Sequence, residues 1–172
     1  YSTLFRLDME MNPQPHLMEE YEAVNDTLWR FKLREGVQFH DGTTLTARDV
    51  KASLDWAKSF PQVKRYTDSV QEVRKKEVPS MYELIQVAPR TYYIQCPAKM
   101  GIWKLRDTEA VLIDSGNDFS KNPVGSGPYR FRTWVLGDRL EFEAFSDYFL
   151  GEPAISHMVW KIIPEGEERT AA

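Results

Sequence analysis

The chain has 172 residues, of which 42% are hydrophobic and 28% charged, and its formal net charge at pH 7 is −4. This composition supports one packed domain or two small lobes and excludes wholesale disorder. Cys96 is the single cysteine, which excludes an internal disulfide framework. No apolar run is long enough to span a membrane, and the three histidines are too far apart in sequence to form a metal-ligand motif.

The charge distribution argues against nucleic acid as a partner, because nucleic-acid binders usually present a basic face. Basic side chains are in excess only in the middle of the chain, where residues 61–110 carry nine basic and six acidic groups. Within this part, Arg74-Lys75-Lys76 forms a short basic run. We interpret that run as the solvated face of a helix.

The first third of the chain predicts two strands separated by a connector. Residues 1–7 predict a strand, and residues 9–17 predict a connector broken by Asn-Pro and Gln-Pro steps. Residues 28–33 alternate in polarity, which is typical of a half-buried strand. The side chains predicted on its buried face are Trp29, Phe31 and Leu33.

A turn and a capped helix are predicted next. Asp41-Gly42 is a strong turn signal. Thr46 is a candidate N-cap, and Asp49 three residues later completes a variant of the capping box. The spacing of Val50, Leu54 and Ala57 predicts a helix over residues 47–59.

The remainder of the chain predicts one more helix and several strands. Residues 67–77 predict a helix with a thin apolar stripe of Val70 and Val73, and residues 102–113 fit either a helix or an extended segment. The predicted strands are 82–87, 91–96, 129–135, 139–145 and 157–163. Gly137-Asp138 predicts a hairpin between 129–135 and 139–145. The elements add up to an α+β fold with mostly antiparallel pairing.

Two motifs are reminiscent of enzyme chemistry, but both have a structural interpretation. His40 beside Asp41 suggests a general base and its orienting group, and hence a hydrolase. Neighbours on a strand point to opposite faces, however, and no Gly-x-Ser-x-Gly motif supplies a nucleophile. A turn in which Asp41 binds backbone amides explains these residues better.

The second motif, Gly125-Ser126-Gly127-Pro128-Tyr129, is only superficially a phosphate loop. Pro128 removes a backbone donor where such a loop needs one. We interpret the motif as a tight backbone segment that leads into a strand. Cys96 shares a strand face with apolar side chains and is interpreted as a core thiol.

Three side chains are candidates for ligand contact. Tyr66 lies in a polar context and combines a ring with a hydroxyl, which suits the wall of a cleft. Trp103 and Arg106 share a helix face if their segment is helical, and Arg106 can then pair with a ligand carboxylate. Ordinary surface or core contacts are the alternative for each of the three.

Three segments resemble a known family of binding proteins: Leu17–Val24 with Leu28–Gly42, then Leu45–Leu54, then Asn122–Tyr129 with Gly137–Leu140 and Tyr148–Gly151. The stretch from Phe31 to Gly42 has the pattern F-x-L-R-x-G-V-x-F-H-D-G, and the Gly-Ser-Gly-Pro-Tyr motif follows downstream. The chain resembles the oligopeptide, dipeptide and nickel-binding family of extracytoplasmic solute-binding proteins that serve ABC importers.

The resemblance implies part of the first lobe of a two-lobe, periplasmic-binding-protein-like (class II) fold. Residues 1–35 and 125–163 then belong to the core sheet, and residues 36–124 form an inserted small subdomain. The resemblance then makes the chain part of the first lobe of a longer protein, because nothing in these residues resembles the second lobe. The resemblance also implies no enzymatic activity, no cofactor and no metal ligands.

The resemblance further suggests which residues contact a ligand and which molecules are the binding partners. Tyr66 occupies a position similar to that of a cleft-facing aromatic residue, and Arg106 falls near an arginine of the family's metal-chelate binders. Residues 61–80 are shorter and more charged than in binders of large peptides, which leaves ligand size open. The expected partners are a peptide or other small molecule and the permease of an ABC transporter, with no nucleic acid.

The resemblance implies an extracytoplasmic location, in the periplasm or at the cell surface as a lipoprotein anchored outside this segment. The alternatives are a cytoplasmic ligand-sensing module of a transcription regulator with the same fold, and a binder of nickel chelates or sugars. A signal peptide or lipobox ahead of this segment favours the importer, whereas a helix-turn-helix favours the regulator.

Overall fold

Strands make up most of the regular structure in the computed structural model, which describes residues 2–10, 12–57, 70–75, 81–86, 101–102 and 123–163. In these residues the elements are β1 (Ser2–Thr3), β2 (Phe5–Leu7), β3 (Pro13–Pro15), β4 (Met18–Ala23), β5 (Leu28–Leu33), α1 (Ala47–Ala57), β6 (Val70–Lys75), β7 (Met81–Gln86), β8 (Gly101–Ile102), β9 (Tyr129–Val135), β10 (Arg139–Ala144) and β11 (His157–Lys161). All the strand pairs among them are antiparallel. The predicted α+β class is confirmed.

The largest sheet in the described part has four strands in the order β4-β5-β7-β6. Its strand β5 matches the predicted strand, with Phe31 and Leu33 4% and 0% exposed and Trp29 packed against the core. The strand β4 has no counterpart in the prediction. Its side chains after Met18 are exposed, so the strand lacks the alternation of polarity by which a strand is predicted.

The helix predicted over residues 67–77 is wrong, because residues 70–75 form the strand β6. Five positions of β6 pair with β7, and this pairing outweighs a helical stripe that rests on Val70 and Val73 alone. Among the described strands β6 lies at the edge of this sheet, so Arg74 and Lys75 belong to an edge strand there rather than to a helix face. Charged residues are common on edge strands, since they discourage pairing with another chain.

The start of the chain also differs from prediction. The single strand predicted over 1–7 is divided at Leu4, so that β1 pairs with β8 while β2 pairs with β3. The carbonyl oxygen of Leu4 accepts from the amides of His16 and Met18, which fixes the break. The predicted connector contains β3, where the two prolines flank Gln14, the residue opposite Arg6.

The helix α1 packs one face into the main core. Val50 and Leu54 are 0% and 1% exposed, as the helical spacing predicted. The amide and the hydroxyl of Thr46 both donate to Oδ2 of Asp49 at 2.8 Å, so the half of the predicted capping box that the Asp49 carboxylate supplies is present. The other buried members of this core are Leu4, Phe5, Leu17, Met18, Phe31, Leu33, Val37, Phe39, Leu45, Ala47 and Val124.

A separate three-stranded sheet has the order β11-β10-β9. The three strands lie where the sequence predicted them, and Gly137 makes the predicted hairpin turn with a φ of +76°. A bulge between Glu141 and Phe142 shifts the register against β9. Ala144 ends β10, and the next residue, Phe145, is 4% exposed with its ring centroid 5.1 Å from that of His40.

Several predictions concern segments beyond the described residues. The predicted strand 91–96, with Cys96, lies outside them, as does the ambiguous segment after Ile102. The strand β7 confirms the prediction for 82–87 over residues 81–86. The four-stranded sheet combines β4 and β5 with two strands from within 36–124. The division into 1–35, 36–124 and 125–163 stays a prediction.

Candidate functional site

The predicted ligand contacts Tyr66, Trp103 and Arg106 lie outside the described residues, so their placement stays a prediction. The elements that flank them in sequence are described. The helix α1 lies against both β6 and β8. Tyr66 falls between α1 and β6 in the chain, and Trp103 directly follows β8. The helix thus contacts both of the strands next to which two of the three predicted contacts lie in sequence.

The ring of His40 joins the two motifs that the sequence singled out. The amide of Gly125 donates to Nδ1 of His40 at 3.3 Å, and Nε2 lies 3.0 Å from the carbonyl oxygen of Gly127. The backbone amide of His40 also donates to the carbonyl of Gly125 at 2.8 Å. These contacts assign a neutral ring with its proton on Nε2. Burial, as the largest cause, lowers the pKa of His40.

This arrangement supports a structural role for His40 and Asp41. Both ring nitrogens of His40 are engaged by backbone groups, so neither is left to activate a nucleophile. Oδ1 of Asp41 accepts from the amide and the hydroxyl of Thr43, at 3.1 and 2.7 Å, in the turn that Gly42 closes with a φ of +81°. The turn interpretation is thus confirmed.

A second histidine, His16, holds the start of the chain to the segment after β10. Arg6 donates to the hydroxyl of Tyr148 at 2.9 Å, and that hydroxyl lies 3.1 Å from Nε2 of His16. Nδ1 of His16 lies 3.0 Å from the carbonyl oxygen of Thr3. Two neutral tautomers satisfy these contacts: either the tyrosine donates to Nε2 and Nδ1 donates to the Thr3 carbonyl, or Nε2 donates to the tyrosine oxygen and Nδ1 accepts from the Thr3 amide at 3.3 Å. No sequence pattern predicted this cluster, because Tyr148 lies 132 residues from His16 in the chain.

Burial and charge together keep the His16 ring neutral. His16 is 5% exposed, and Phe149 packs against its ring at a centroid distance of 5.2 Å. Burial lowers the pKa of His16 to about 4, with a further contribution from the charge of Arg6.

Two buried polar atoms have no hydrogen-bond partner within the described part of the chain: Oγ of Ser126 and Nε1 of Trp29. Ser126 is 0% exposed, and its carbonyl accepts from the hydroxyl of Ser2 at 2.7 Å. Because the Ser126 side chain is closed off from solvent, it is a packing residue of the Gly125–Gly127 segment rather than a group offered to a ligand.

A surface groove of about 430 Å³ lies along β4 and β5 and is lined by Glu20, Tyr21, Glu22, Arg30, Phe31 and Lys32. Its charges are mutually paired: Arg30 contacts Glu22 at 2.5 Å, and Lys32 contacts Glu19 at 3.0 Å. Ion pairs of this kind are typical of a solvent-exposed sheet surface and contribute little to the free energy of folding. The groove thus has the chemistry of a solvated sheet surface.

The described ranges contain no group of three or more side chains suited to holding a metal ion. Across those same residues, no helix is long and apolar enough to cross a membrane.

The fold is that of solute-binding proteins of known structure. The oligopeptide-binding protein AppA of Bacillus subtilis, solved with a nonapeptide, superposes with a TM-score of 0.86 at 26% identity. NikA of Staphylococcus aureus, solved with Ni(L-His)2, superposes with a TM-score of 0.85 at 22% identity. In each case the superposition covers 99% of this chain and 35% of the other, so the chain has the fold of part of a two-lobe solute-binding protein.

The sequence comparisons place the chain within that class. Residues 12–172 match the family described as bacterial extracellular solute-binding proteins, family 5 Middle. The chain belongs to this family. The glutathione-binding protein GsiB of Escherichia coli K12 is 32% identical to it over 177 residues, which is 99% of this chain and 34% of GsiB. The chain spans about a third of the length of the curated relatives it matches.

Proposed function

We propose that the chain is part of the substrate-binding component of an ABC importer, a protein that binds peptides outside the cytoplasm and performs no chemistry on them. The family match over residues 12–172 carries this proposal. Two of the similar proteins favour peptides as ligands: one is named a glutathione-binding protein, and the other was solved with a bound nonapeptide. The permease of the importer would be the protein partner. Ligand binding would occur by closure of two lobes around the ligand.

We assign ligand contact within this chain to Tyr66, Trp103 and Arg106. The packing of α1 against β6 and β8 supports a common location for Tyr66 and Trp103, because each follows or precedes one of these elements closely in the chain. Arg106 would pair with a ligand carboxylate and Tyr66 would offer a ring and a hydroxyl. We also retain residues 36–124 as a smaller subdomain that carries these contacts.

Native mass spectrometry of the full-length protein, purified without refolding, tests the ligand class. A mixed set of co-purified short peptides is expected. A single mass that corresponds to a metal chelate or a sugar would contradict the peptide assignment and leave the importer assignment in place. Properly folded protein that shows neither a ligand nor a transporter partner would contradict the importer assignment itself.

Calorimetric titration of the full-length protein with the ligand so identified tests the site. Arg106→Ala is expected to weaken binding by about tenfold to a hundredfold, since a charge-assisted bidentate pair is lost. Arg132→Ala is the matched control, because Arg132 lies in β9 with its side chain 60% exposed. Equal affinities for the two variants would remove Arg106 from the site.

Nickel chelates are the second candidate ligand, and the superposition on NikA with Ni(L-His)2 is the observation that favours them. The same titration with nickel and L-histidine distinguishes the two ligand classes. Binding of this mixture in preference to short peptides would replace the peptide proposal.

A further inference from the structure

Two distant segments of the chain meet at the ring of His40. The amide of His40 donates to the carbonyl of Gly125 at 2.8 Å, and the amide of Gly125 donates to Nδ1 of the ring at 3.3 Å. Nε2 lies 3.0 Å from the carbonyl oxygen of Gly127. The chain therefore leaves this point at His40 and returns to it at Gly125, 85 residues further along. The meeting of His40 with Gly125–Pro128 is here called the crossing.

The returning segment is held at the crossing by three separate parts of the chain. The carbonyls of its two glycines accept from His40. The carbonyl of Ser126 accepts from the hydroxyl of Ser2 at 2.7 Å, and that of Pro128 accepts from the amide of Phe145 at 2.9 Å. The ring of Phe145 also packs edge-on against that of His40, with a centroid distance of 5.1 Å. Four consecutive carbonyl groups are thus fixed, and two of them depend on His40.

The residues proposed to contact a ligand all lie between the two arms of the crossing. Earlier parts of this excursion have their own anchors, because α1 packs into the main core and β7 pairs with β5. Trp103 and Arg106 follow β8 in sequence. After β8, the next described residues that are anchored are Val124, in the main core, and the crossing itself. The crossing therefore fixes where the segment with Trp103 and Arg106 returns to the core.

We propose that His40 is a positioning residue for ligand binding, which sets the placement of Trp103 and Arg106 by holding the crossing closed. This role rests on the function proposed above. The neutral imidazole suits it because one nitrogen accepts while the other donates, so one rigid side chain engages two backbone groups of the returning segment. Binding groups need such support, since a site held about 1 Å too loosely loses function.

A double-mutant cycle in the full-length protein tests the role by calorimetric titration. Reduced glutathione is the probe, because a relative that is 32% identical is a glutathione-binding protein; nickel with L-histidine replaces it if the wild type binds that mixture instead. His40→Ala is expected to weaken binding about tenfold, but only about twofold or less in the Arg106→Ala background, because the side chain that it positions is then absent. A general loss of stability would act equally in both backgrounds.

Conservative variants cover the case in which His40→Ala does not fold. His40→Gln retains a donor near the position of Nε2, and His40→Asn retains an acceptor near that of Nδ1, so each should restore part of the affinity. Tyr148→Phe is the matched control, because it removes a hydrogen-bonding group that joins distant segments away from the crossing. This control should lower Tm and leave the affinity unchanged.

The possible failures are distinguishable. Wild-type affinity in His40→Ala, or equal losses in the two backgrounds, would overturn the positioning role while an impaired Arg106→Ala leaves the proposed function in place. If Arg106→Ala and Trp103→Ala both bind like the wild type, or if the wild type binds neither probe, the proposed contacts fail and the role of His40 fails with them.

Discussion

At the scale of single residues, the buried His16 and the half-buried His40 act as structural connectors. His40 ties the Asp41-Gly42 turn to the Gly125–Gly127 segment, and His16 ties the start of the chain to Tyr148. Each ring uses one nitrogen as a donor and the other as an acceptor, and this requires the neutral form. The pKa of both rings is lowered, mainly by burial.

This requirement makes stability dependent on pH. The pKa of His16 is about 4 in the folded protein and has its ordinary value of 6.5 in the unfolded chain. Between these two pH values the unfolded chain therefore binds more protons than the folded protein. Stability is therefore complete above about pH 6.5 and falls as the pH drops toward 4.

Tm measured from pH 7 to pH 4 in the full-length protein checks the contribution of His16. His16→Gln is expected to lower Tm at pH 7, because the contacts with Thr3 and Tyr148 are lost, and to flatten the decline below pH 6.5. His157→Gln, at an exposed position of β11, should follow the wild-type curve. A His16→Gln profile as steep as that of the wild type would contradict this role.

At the scale of elements, the start of α1 is held by two hydrogen bonds that the amide and the hydroxyl of Thr46 donate to the carboxylate of Asp49. Asp49→Ala is expected to lower the free energy of unfolding by about 1 kcal/mol, because the cap and a favourable charge in the first turn are both lost. Urea unfolding measures the difference.

The chain offers a matched control in the same helix. Asp55 is exposed and pairs with Lys51 one turn away, and Asp55→Ala should cost no more than about 0.5 kcal/mol. If the two variants lose equal stability, general helix charge rather than capping explains the effect.

At the scale of the whole molecule, the length of the relatives bears on affinity. The chain corresponds to about a third of proteins whose ligands, on the function proposed above, are enclosed by two lobes. The 172-residue chain by itself should therefore bind the ligand of the full-length protein much more weakly, since part of the cleft wall is absent. Titration of the two proteins side by side, with circular dichroism to show that the short chain is folded, checks this expectation. Equal affinities would place the whole site within this chain.

Local signals in the sequence were sufficient wherever a short segment determines its own structure. The Asp41-Gly42 turn, the Thr46–Asp49 cap, the alternation of β5 and the hairpin at Gly137 were all predicted and found. The reason is that turn geometry, capping and polarity alternation depend on residues a few positions apart. The family resemblance also came from the sequence, because its motifs are contiguous.

Tertiary pairing decided the rest. Residues 70–75 form a strand because β7 lies beside them, and Pro13–Pro15 pair with β2 in spite of two missing amides. The joining of His40 to Gly125 and of His16 to Tyr148 crosses 85 and 132 residues of chain. No local pattern encodes such contacts, because the free energy of burying these rings and satisfying their nitrogens arises only when distant segments pack together.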